Sequence, residues 1–84
     1  MYVHIGKDFL IPSNEIITIL DLEKMLKNKK LENIIKELKL ENNIINIADG
    51  NNKSLILLKK ENKIEGYISN ISSITLVKRI QKEK

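Results

Sequence analysis

The stretch FLIPSNEIITILDL, residues 9–22, decides the fold because it carries apolar side chains on both faces of an extended segment. Residues 15–22 are rich in β-branched side chains and too short for an independent helix, which predicts a strand. Its apolar side chains alternate between two faces, with Ile17 and Ile19 on one and Ile16, Leu20 and Leu22 on the other. When an antiparallel sheet exposes one face to water, the residues on that face of its strands are mostly polar. We therefore expect each face of this strand to be covered.

The composition is that of one small folded domain, residues 1–84. Hydrophobic residues make up 42% of the chain and charged residues 31%, a balance that favours folding over disorder. The absence of cysteine excludes disulfides and thiolate zinc sites and is typical of a reducing cytoplasm. No apolar run approaches the roughly 20 residues that span a bilayer, and we read no signal peptide at the N-terminus. We expect a cytoplasmic protein that does not bind membranes.

The N-terminal half predicts a hairpin and a helix. YVHI at 2–5 and FLI at 9–11 read as strands joined by a turn at 6–8, and Pro12 ends the second strand. Within residues 30–41, apolar side chains recur at helical spacing, at Leu31, Ile34, Ile35 and Leu38. This spacing predicts a helix with one apolar face.

The C-terminal half predicts three strands and a second helix. IINIA at 44–48 and KSLILLKK at 53–60 read as a hairpin around the turn DGNN, followed by KIEGYIS at 63–69. A last helix, 73–84, should start after a serine cap at Ser72 or Ser73. Its expected inward residues are Ile74, Val77 and Ile80, and its expected outward residues are Lys78, Arg79 and Lys82. The predicted order is βββαβββα, an α+β fold with one mostly antiparallel sheet, one helix on the sheet and a C-terminal helix.

Two apolar faces and few helices predict self-association. The first helix can cover one face of the sheet, but the last helix has only three residues in a clear apolar stripe. An uncovered apolar face is usually a subunit interface. We therefore expect a homo-oligomer whose interface includes the middle of the first long strand, at Ile16, Ile17, Ile19 and Leu20.

The sequence offers no constellation of residues for catalysis. His4 is the only histidine, which excludes histidine-pair metal sites, and on a terminal strand it reads as an ordinary surface side chain. The carboxylates between residues 8 and 23 are too scattered to suggest an acid–base pair. The three glycines stand alone, so there is no phosphate-binding loop. We expect no enzymatic activity, metal, cofactor or small-molecule substrate.

Positive charge is concentrated towards the C-terminus. Residues 1–52 hold seven lysines against eight acidic residues, whereas residues 53–84 hold eight basic residues against three glutamates. This imbalance suggests an anionic partner, although composition alone favours a solvated basic surface. The tip of the predicted hairpin, Asp49 to Lys53, offers asparagine and lysine. These side chains suit base edges and phosphates, and they equally suit an exposed turn.

The segments HIGKDFLIPSNEIITILDLEK at 4–24 and YISNISSITLVKRI at 67–80 resemble the bacterial extracellular-matrix regulator family, RemA and RemB. The strand reading HIG, the apolar pair before proline and the pattern EII.I.D are similar to the RemB branch. Between these segments, residues 23–43 are similar to the family only in general character.

The resemblance implies a small cytoplasmic regulator of biofilm-matrix genes in Gram-positive bacteria. It also implies a closed ring that contacts double-stranded DNA along an outer basic surface, as in the RemA branch. In that branch, a pair of arginines follows the glycine after the fourth strand, whereas Asn51, Asn52 and Lys53 follow Gly50 here. Asparagine lacks the charge and the bidentate reach of arginine. Lys78 and Arg79 on the last helix are the obvious substitutes.

Two hypotheses follow. The first is a ring-forming, non-enzymatic transcriptional regulator with weak, backbone-driven DNA affinity, which would contact DNA through Asn51, Asn52, Lys53, Lys78 and Arg79. The second is a self-assembling protein-interaction module that acts through a protein partner or a paralogous regulator without binding DNA.

Overall fold

The computed structural model describes residues 1–82, which form six strands, three α-helices and one 3-10 turn. In chain order these are β1 (Tyr2–Gly6), β2 (Phe9–Pro12), the 3-10 turn (Ser13–Glu15), β3 (Ile16–Asp21), α1 (Leu22–Lys27), α2 (Leu31–Glu37), β4 (Ile44–Asn46), β5 (Ser54–Lys60), β6 (Lys63–Ser69) and α3 (Ser73–Lys82). The α+β class is confirmed. The single helix predicted between the third and fourth strands is wrong, because two helices stand there.

The β1–β2 hairpin forms as predicted, but it is a separate two-stranded ribbon rather than part of one sheet. Val3 pairs with Ile11, and His4 pairs with Leu10. Successive side chains of a strand point to opposite faces. The inner face of the ribbon is buried and apolar, with Val3, Ile5 and Ile11, whereas Leu10 on the outer face is exposed.

The main sheet is mixed and has the strand order β3-β5-β6-β4. β3, β5 and β6 run antiparallel, but β4 lies parallel to β6, with Ile44 beside Gly66. The predicted hairpin between 44–48 and 53–60 is therefore wrong. β5 pairs with β3 on one edge and with β6 on the other, so it has no free edge for β4. The residues between β4 and β5 instead form a loop at one end of the sheet.

Both faces of the main sheet are covered within one subunit. One core lies between the sheet, the ribbon and α3, and the other lies between the sheet, α1 and α2. β5 contributes alternate side chains to both cores, Ile56 and Leu58 to the first and Leu55 and Leu57 to the second. The expectation that each face is covered is confirmed. Since the ribbon and α3 cover the second face, self-association needs support from another surface.

A β-bulge in β3 changes the predicted faces of this strand. Ile16 pairs with Leu58 and Thr18 with Leu57, so Ile17 is the extra residue. The bulge interrupts the alternation, and Ile16 and Ile19 both pack on the first core while Leu20 packs on the second. The prediction that Ile16 shares a face with Leu20 is therefore wrong. Leu22, predicted at the end of this strand, is the first residue of α1 and is buried in the second core.

α1, which was not predicted from the sequence, follows β3 without a loop. The amide of Lys24 donates to Asp21 Oδ1 at 3.2 Å, so Asp21 ends the strand and caps the helix. The helix stops at Lys27, and Lys29 adopts a left-handed conformation with φ 55°. A six-residue helix thus fills the gap between β3 and α2.

α2 ends earlier than the predicted helix at 30–41. Lys39 has φ 55°, and the amide of Leu40 donates to the carbonyl of Ile35 at 2.9 Å. This bond is that of a Schellman motif, a helix end in which glycine usually takes the left-handed position. The prediction of helix beyond Leu38 is wrong because the chain reverses here and buries Leu40 in the second core.

α3 begins where predicted, because the amide of Thr75 donates to Ser72 Oγ at 3.2 Å. The last two residues of the predicted helix, 83–84, lie outside the described residues. The predicted inward face is partly wrong, since Ile74 and Val77 are 68% and 40% exposed. The prediction for Ile80 is confirmed, and Leu76 faces the first core beside it, because α3 packs against β1 as well as β3.

Candidate nucleic-acid surface

Three connections meet at one end of the main sheet, which we call the loop end: the β1–β2 turn at 7–8, the β4–β5 loop at 47–53 and the β6–α3 turn at 70–72. Lys7 Nζ lies 3.0 Å from Asp49 Oδ1, and this ion pair joins the first two connections. The amide of Lys53 donates to the carbonyl of Ser69 at 2.9 Å, which joins the second to the end of β6. The loop end therefore brings together residues that are far apart in the sequence.

The β4–β5 loop starts with a tight turn that holds its tip in the solvent. The amide of Ala48 donates to Asn46 Oδ1 at 2.9 Å, and the amide of Asn51 donates to the carbonyl of Ala48 at 3.2 Å. Asp49 and Gly50 both have left-handed backbone, with φ 52° and 91°. Nothing lies within 4 Å of the place where a Cβ would stand on Gly50. The turn thus presents Asn51, which is exposed, at the open tip of the loop.

Asn52 and Lys53 are half-buried at the base of this loop. Asn52 Oδ1 is buried and accepts no hydrogen bond from any residue between 1 and 82. The carbonyl of Lys53 accepts from the amide of Leu22 at 3.0 Å, which fixes the main chain against the start of α1. Of the three polar residues predicted from the sequence, Asn51 is the most accessible to a ligand. Lys53 has a main chain that is held by hydrogen bonds on both its amide and its carbonyl.

Two buried serines, which were not predicted from the sequence, hold the loop end together. Ser69 Oγ donates to the carbonyl of Ile5 and accepts from the amide of Ile71 at 3.0 Å. Ser54 Oγ donates to the carbonyl of Ile71 at 2.7 Å. Both serines are completely buried. The sequence does carry a signal for them, since each serine stands at one end of an apolar strand. A hydroxyl that is buried there needs a hydrogen-bond partner.

Arg79 and Lys78 lie on α3 and point to different flanks of this helix. Arg79 Nη1 donates to the carbonyl of His4 at 2.8 Å and lies 3.5 Å from His4 Nδ1. His4 Nε2 in turn contacts the carbonyl of Lys7. Lys78 is exposed and lines a groove beside Ile19 of β3. The structure therefore brings Arg79 to the ribbon, next to the β1–β2 turn, and places Lys78 on the opposite flank.

The four residues predicted at an oligomer interface have different surroundings. Ile17 is 51% exposed, because the bulge turns it away from both cores. Ile16, Ile19 and Leu20 are half-buried against the cores of their own subunit. Ile19 also lines the groove on α3, which is shared by Ser73, Ile74, Val77, Lys78 and Gln81. We call this the β3–α3 groove.

The opposite end of the sheet carries both signs of charge. Its cleft is lined by Glu15, Lys60, Glu61, Lys63 and Glu65. Three carboxylates beside two ammonium groups give a polyanion no net attraction, so this end is a poor surface for nucleic acid. Among the residues described, no group of three or more histidine, cysteine or acidic side chains is placed to hold a metal ion. No helix within residues 1–82 has the length and apolar character needed to cross a membrane.

Comparison with known proteins gives one family match. A family model described as RemA-like, extracellular matrix regulatory protein A-like, matches residues 2–80. Among curated proteins, none matches the chain. The match extends from β1 to the last turn of α3, so it includes the loop end, the ribbon and the β3–α3 groove.

Proposed function

The chain belongs to the RemA-like family of extracellular matrix regulatory proteins, and on this premise we propose that it regulates transcription by binding double-stranded DNA as a homo-oligomer. The proposal includes no catalytic step, since a regulator of this kind acts by occupying DNA. We further assign the chain to the RemB branch, on the pattern of HIG and EIITILD at its N-terminus. The expected location is the cytoplasm of a Gram-positive bacterium, in association with the nucleoid.

The observation that carries the DNA proposal is the convergence of Asn51, Asn52 and Lys53 with the β1–β2 turn at the loop end. Amide and ammonium groups on a firm backbone suit phosphate oxygens and base edges. The mixed charge at the opposite end of the sheet leaves the loop end as the better surface.

Each subunit brings few positive charges to this surface. Lys7 is paired with Asp49, and Arg79 already donates one hydrogen bond to the ribbon. Lys53 remains as the main phosphate contact, and one contact gives weak affinity. Assembly is therefore central to the proposal, because linked subunits bind at high effective concentration and their contacts sum.

Exposed apolar side chains outside the cores support self-assembly. Ile74 and Val77 on α3 are exposed and line the β3–α3 groove, and Ile17 on β3 is also exposed. Contiguous apolar surface on a small domain usually marks an interaction site. We propose that this surface, together with the half-buried Ile16, Ile19 and Leu20, lies at the subunit interface, and that the assembly is a ring.

Native mass spectrometry of the protein with and without a duplex tests both parts of the proposal. The expected spectrum without DNA is dominated by one oligomer, and addition of the duplex shifts this species by the mass of the DNA. The bound fraction should fall steeply with salt and depend little on sequence, apart from a preference for easily deformed, AT-rich duplexes. A protein that stays monomeric overturns the assembly, and an oligomer that ignores the duplex at low salt overturns the DNA binding.

The second candidate function is a self-assembling module that acts through a protein partner or a paralogous regulator. It is favoured by one observation, namely that uncharged Asn51 stands at the exposed tip of the loop where a charged residue would bind DNA better. An oligomer without DNA affinity in the experiment above would support this function.

A further inference from the structure

A second exposed apolar surface lies on the outer face of the ribbon. Tyr2 pairs with Pro12 and His4 with Leu10, so these four side chains share one face. Tyr2 and Leu10 are each 61% exposed. We call this surface, with Asp8 in the adjoining turn, the ribbon face. These two large apolar side chains do not contribute to the core of their own subunit, so their exposure together suggests an interaction surface.

The ribbon face and the β3–α3 groove lie on opposite flanks of α3. Val77 lines the groove beside Ile19, whereas Arg79 donates to His4 of the ribbon. These two helix residues are about 200° apart around the axis. The two apolar surfaces therefore cannot touch each other within one subunit, but the ribbon face of one copy can touch the groove of another copy.

We propose that the ribbon face of one subunit docks into the β3–α3 groove of a second copy of the chain, with Asp8 opposite Lys78. The contact is head-to-tail, since each subunit offers the ribbon face on one flank and the groove on the other. A contact of this type generates a ring if the rotation closes and a filament if it does not. The proposal rests on the self-assembly proposed above and specifies which two surfaces make it.

Charge complementarity favours this occupant of the groove. The groove has Ile19, Ile74 and Val77 as its apolar lining, Lys78 as its charged side chain and no carboxylate. Its occupant should carry apolar side chains beside an acidic group. The ribbon face meets this requirement, because Asp8 is exposed two residues before Leu10 and its neighbour Lys7 is paired with Asp49.

The other large exposed apolar side chain on a helix is less suitable. Leu26 of α1 is 52% exposed, but Lys27 follows it directly and Lys29 and Lys30 lie just beyond. These ammonium groups would meet Lys78 at the rim of the groove, and like charges at close range destabilise a contact. Leu26 therefore serves as the matched control for Leu10.

Mixing two interface variants provides the decisive experiment. Leu10→Asp removes the ribbon face and keeps the groove, whereas Ile74→Asp removes the groove and keeps the ribbon face. Both positions are exposed, so each variant should keep the circular dichroism spectrum of the wild type and unfold in one cooperative transition. Each variant alone should be monomeric by native mass spectrometry, and an equimolar mixture should form a one-to-one heterodimer that grows no further.

A charge swap tests the ion pair independently. Asp8→Lys alone should weaken assembly by about fivefold, the upper range for an exposed pair, and Lys78→Asp in the same chain should restore it. Leu26→Asp should leave the assembly unchanged. Oligomers that persist in both Leu10→Asp and Ile74→Asp, or a mixture that stays monomeric, overturn the head-to-tail contact while leaving self-assembly in place. A monomeric wild type overturns both, and groove binding of an acidic peptide by such a monomer would assign the groove to another protein.

Discussion

Arg79 Nη1 donates to the carbonyl oxygen of His4 at 2.8 Å, which joins the last helix to the first strand of the chain. Arg79→Ala should lower the free energy of unfolding by about 1 kcal/mol, because it removes a charge-assisted bond at a partly exposed site. Urea titration measures this loss. Lys82→Ala, exposed on the same helix and outside the β3–α3 groove, is the control and should stay within about 0.5 kcal/mol of the wild type. Equal losses in both variants would mean that the Arg79 bond does not stabilise the fold.

Arginine at the tip of the β4–β5 loop should raise DNA affinity. Asn51→Arg adds a charge and a fork of donors at an exposed position, without disturbing a buried group. The slope of log affinity against log salt should steepen by about 0.9 for each added phosphate contact of a subunit. Fluorescence anisotropy at several salt concentrations measures both quantities. Asn62→Arg adds the same charge to the opposite end of the sheet and should change little, so equal gains from both would indicate a purely non-specific effect of net charge.

Charge reversal at Lys53 should weaken DNA binding without dissociating the oligomer. The hydrogen bonds of Lys53 that hold the loop come from its main chain, to Ser69 and Leu22, so Lys53→Glu leaves them in place. Only the phosphate contact is lost, and a repulsive charge replaces it. Lys60→Glu at the opposite end is the matched control. If Lys53→Glu binds the duplex as well as wild type does, the loop end is not the DNA surface.

The two buried serines should contribute unequally to stability. Ser69→Ala leaves two main-chain groups without their partner, the carbonyl of Ile5 and the amide of Ile71, whereas Ser54→Ala leaves only one. A buried group without its partner costs about 1–3 kcal/mol. Ser69→Ala should therefore be the more destabilising of the two in thermal or urea unfolding. The opposite order would contradict the hydrogen bonding described for the loop end.

Glycine at the end of α2 should stabilise the protein. Lys39 has φ 55°, a conformation that a side chain disfavours and glycine adopts freely. Lys39→Gly should raise the free energy of unfolding by about 0.5–1 kcal/mol, and Lys36→Gly inside the same helix should lower it by about 1 kcal/mol. A pair of denaturation curves distinguishes these effects. Destabilisation by Lys39→Gly would show that the Lys39 side chain makes a contact worth more than the backbone strain.

The features predictable from the sequence are those that local periodicity encodes. The unbroken apolar run at residues 55–58 predicts a strand with two apolar faces, and such a strand needs cover on both sides. The Glu61-Asn62 turn and the serine cap of α3 also depend on neighbours in the chain. Helix ends were harder, because α1 and α2 both stop at a left-handed lysine, and lysine carries none of the signal that glycine gives at such positions.

The features that escaped prediction depend on contacts between distant residues. Nothing local distinguishes β4 in a hairpin with β5 from β4 parallel to β6, because the choice depends on β3 already occupying the free edge of β5. The same holds for the candidate site. The sequence identifies Asn51 to Lys53 as polar, but only the fold places them beside Lys7 and attaches Arg79 to His4.

The position of β5 between two partners and between two cores has a consequence for how the domain opens. Separating β5 from its neighbours would disrupt both cores at once, so the two halves of the subunit should unfold together. Amide hydrogens at Leu55 to Leu58 should consequently exchange with solvent only when the whole domain unfolds. Their exchange rates would report the global stability directly, and any ligand that binds the native state should slow all four by the same factor.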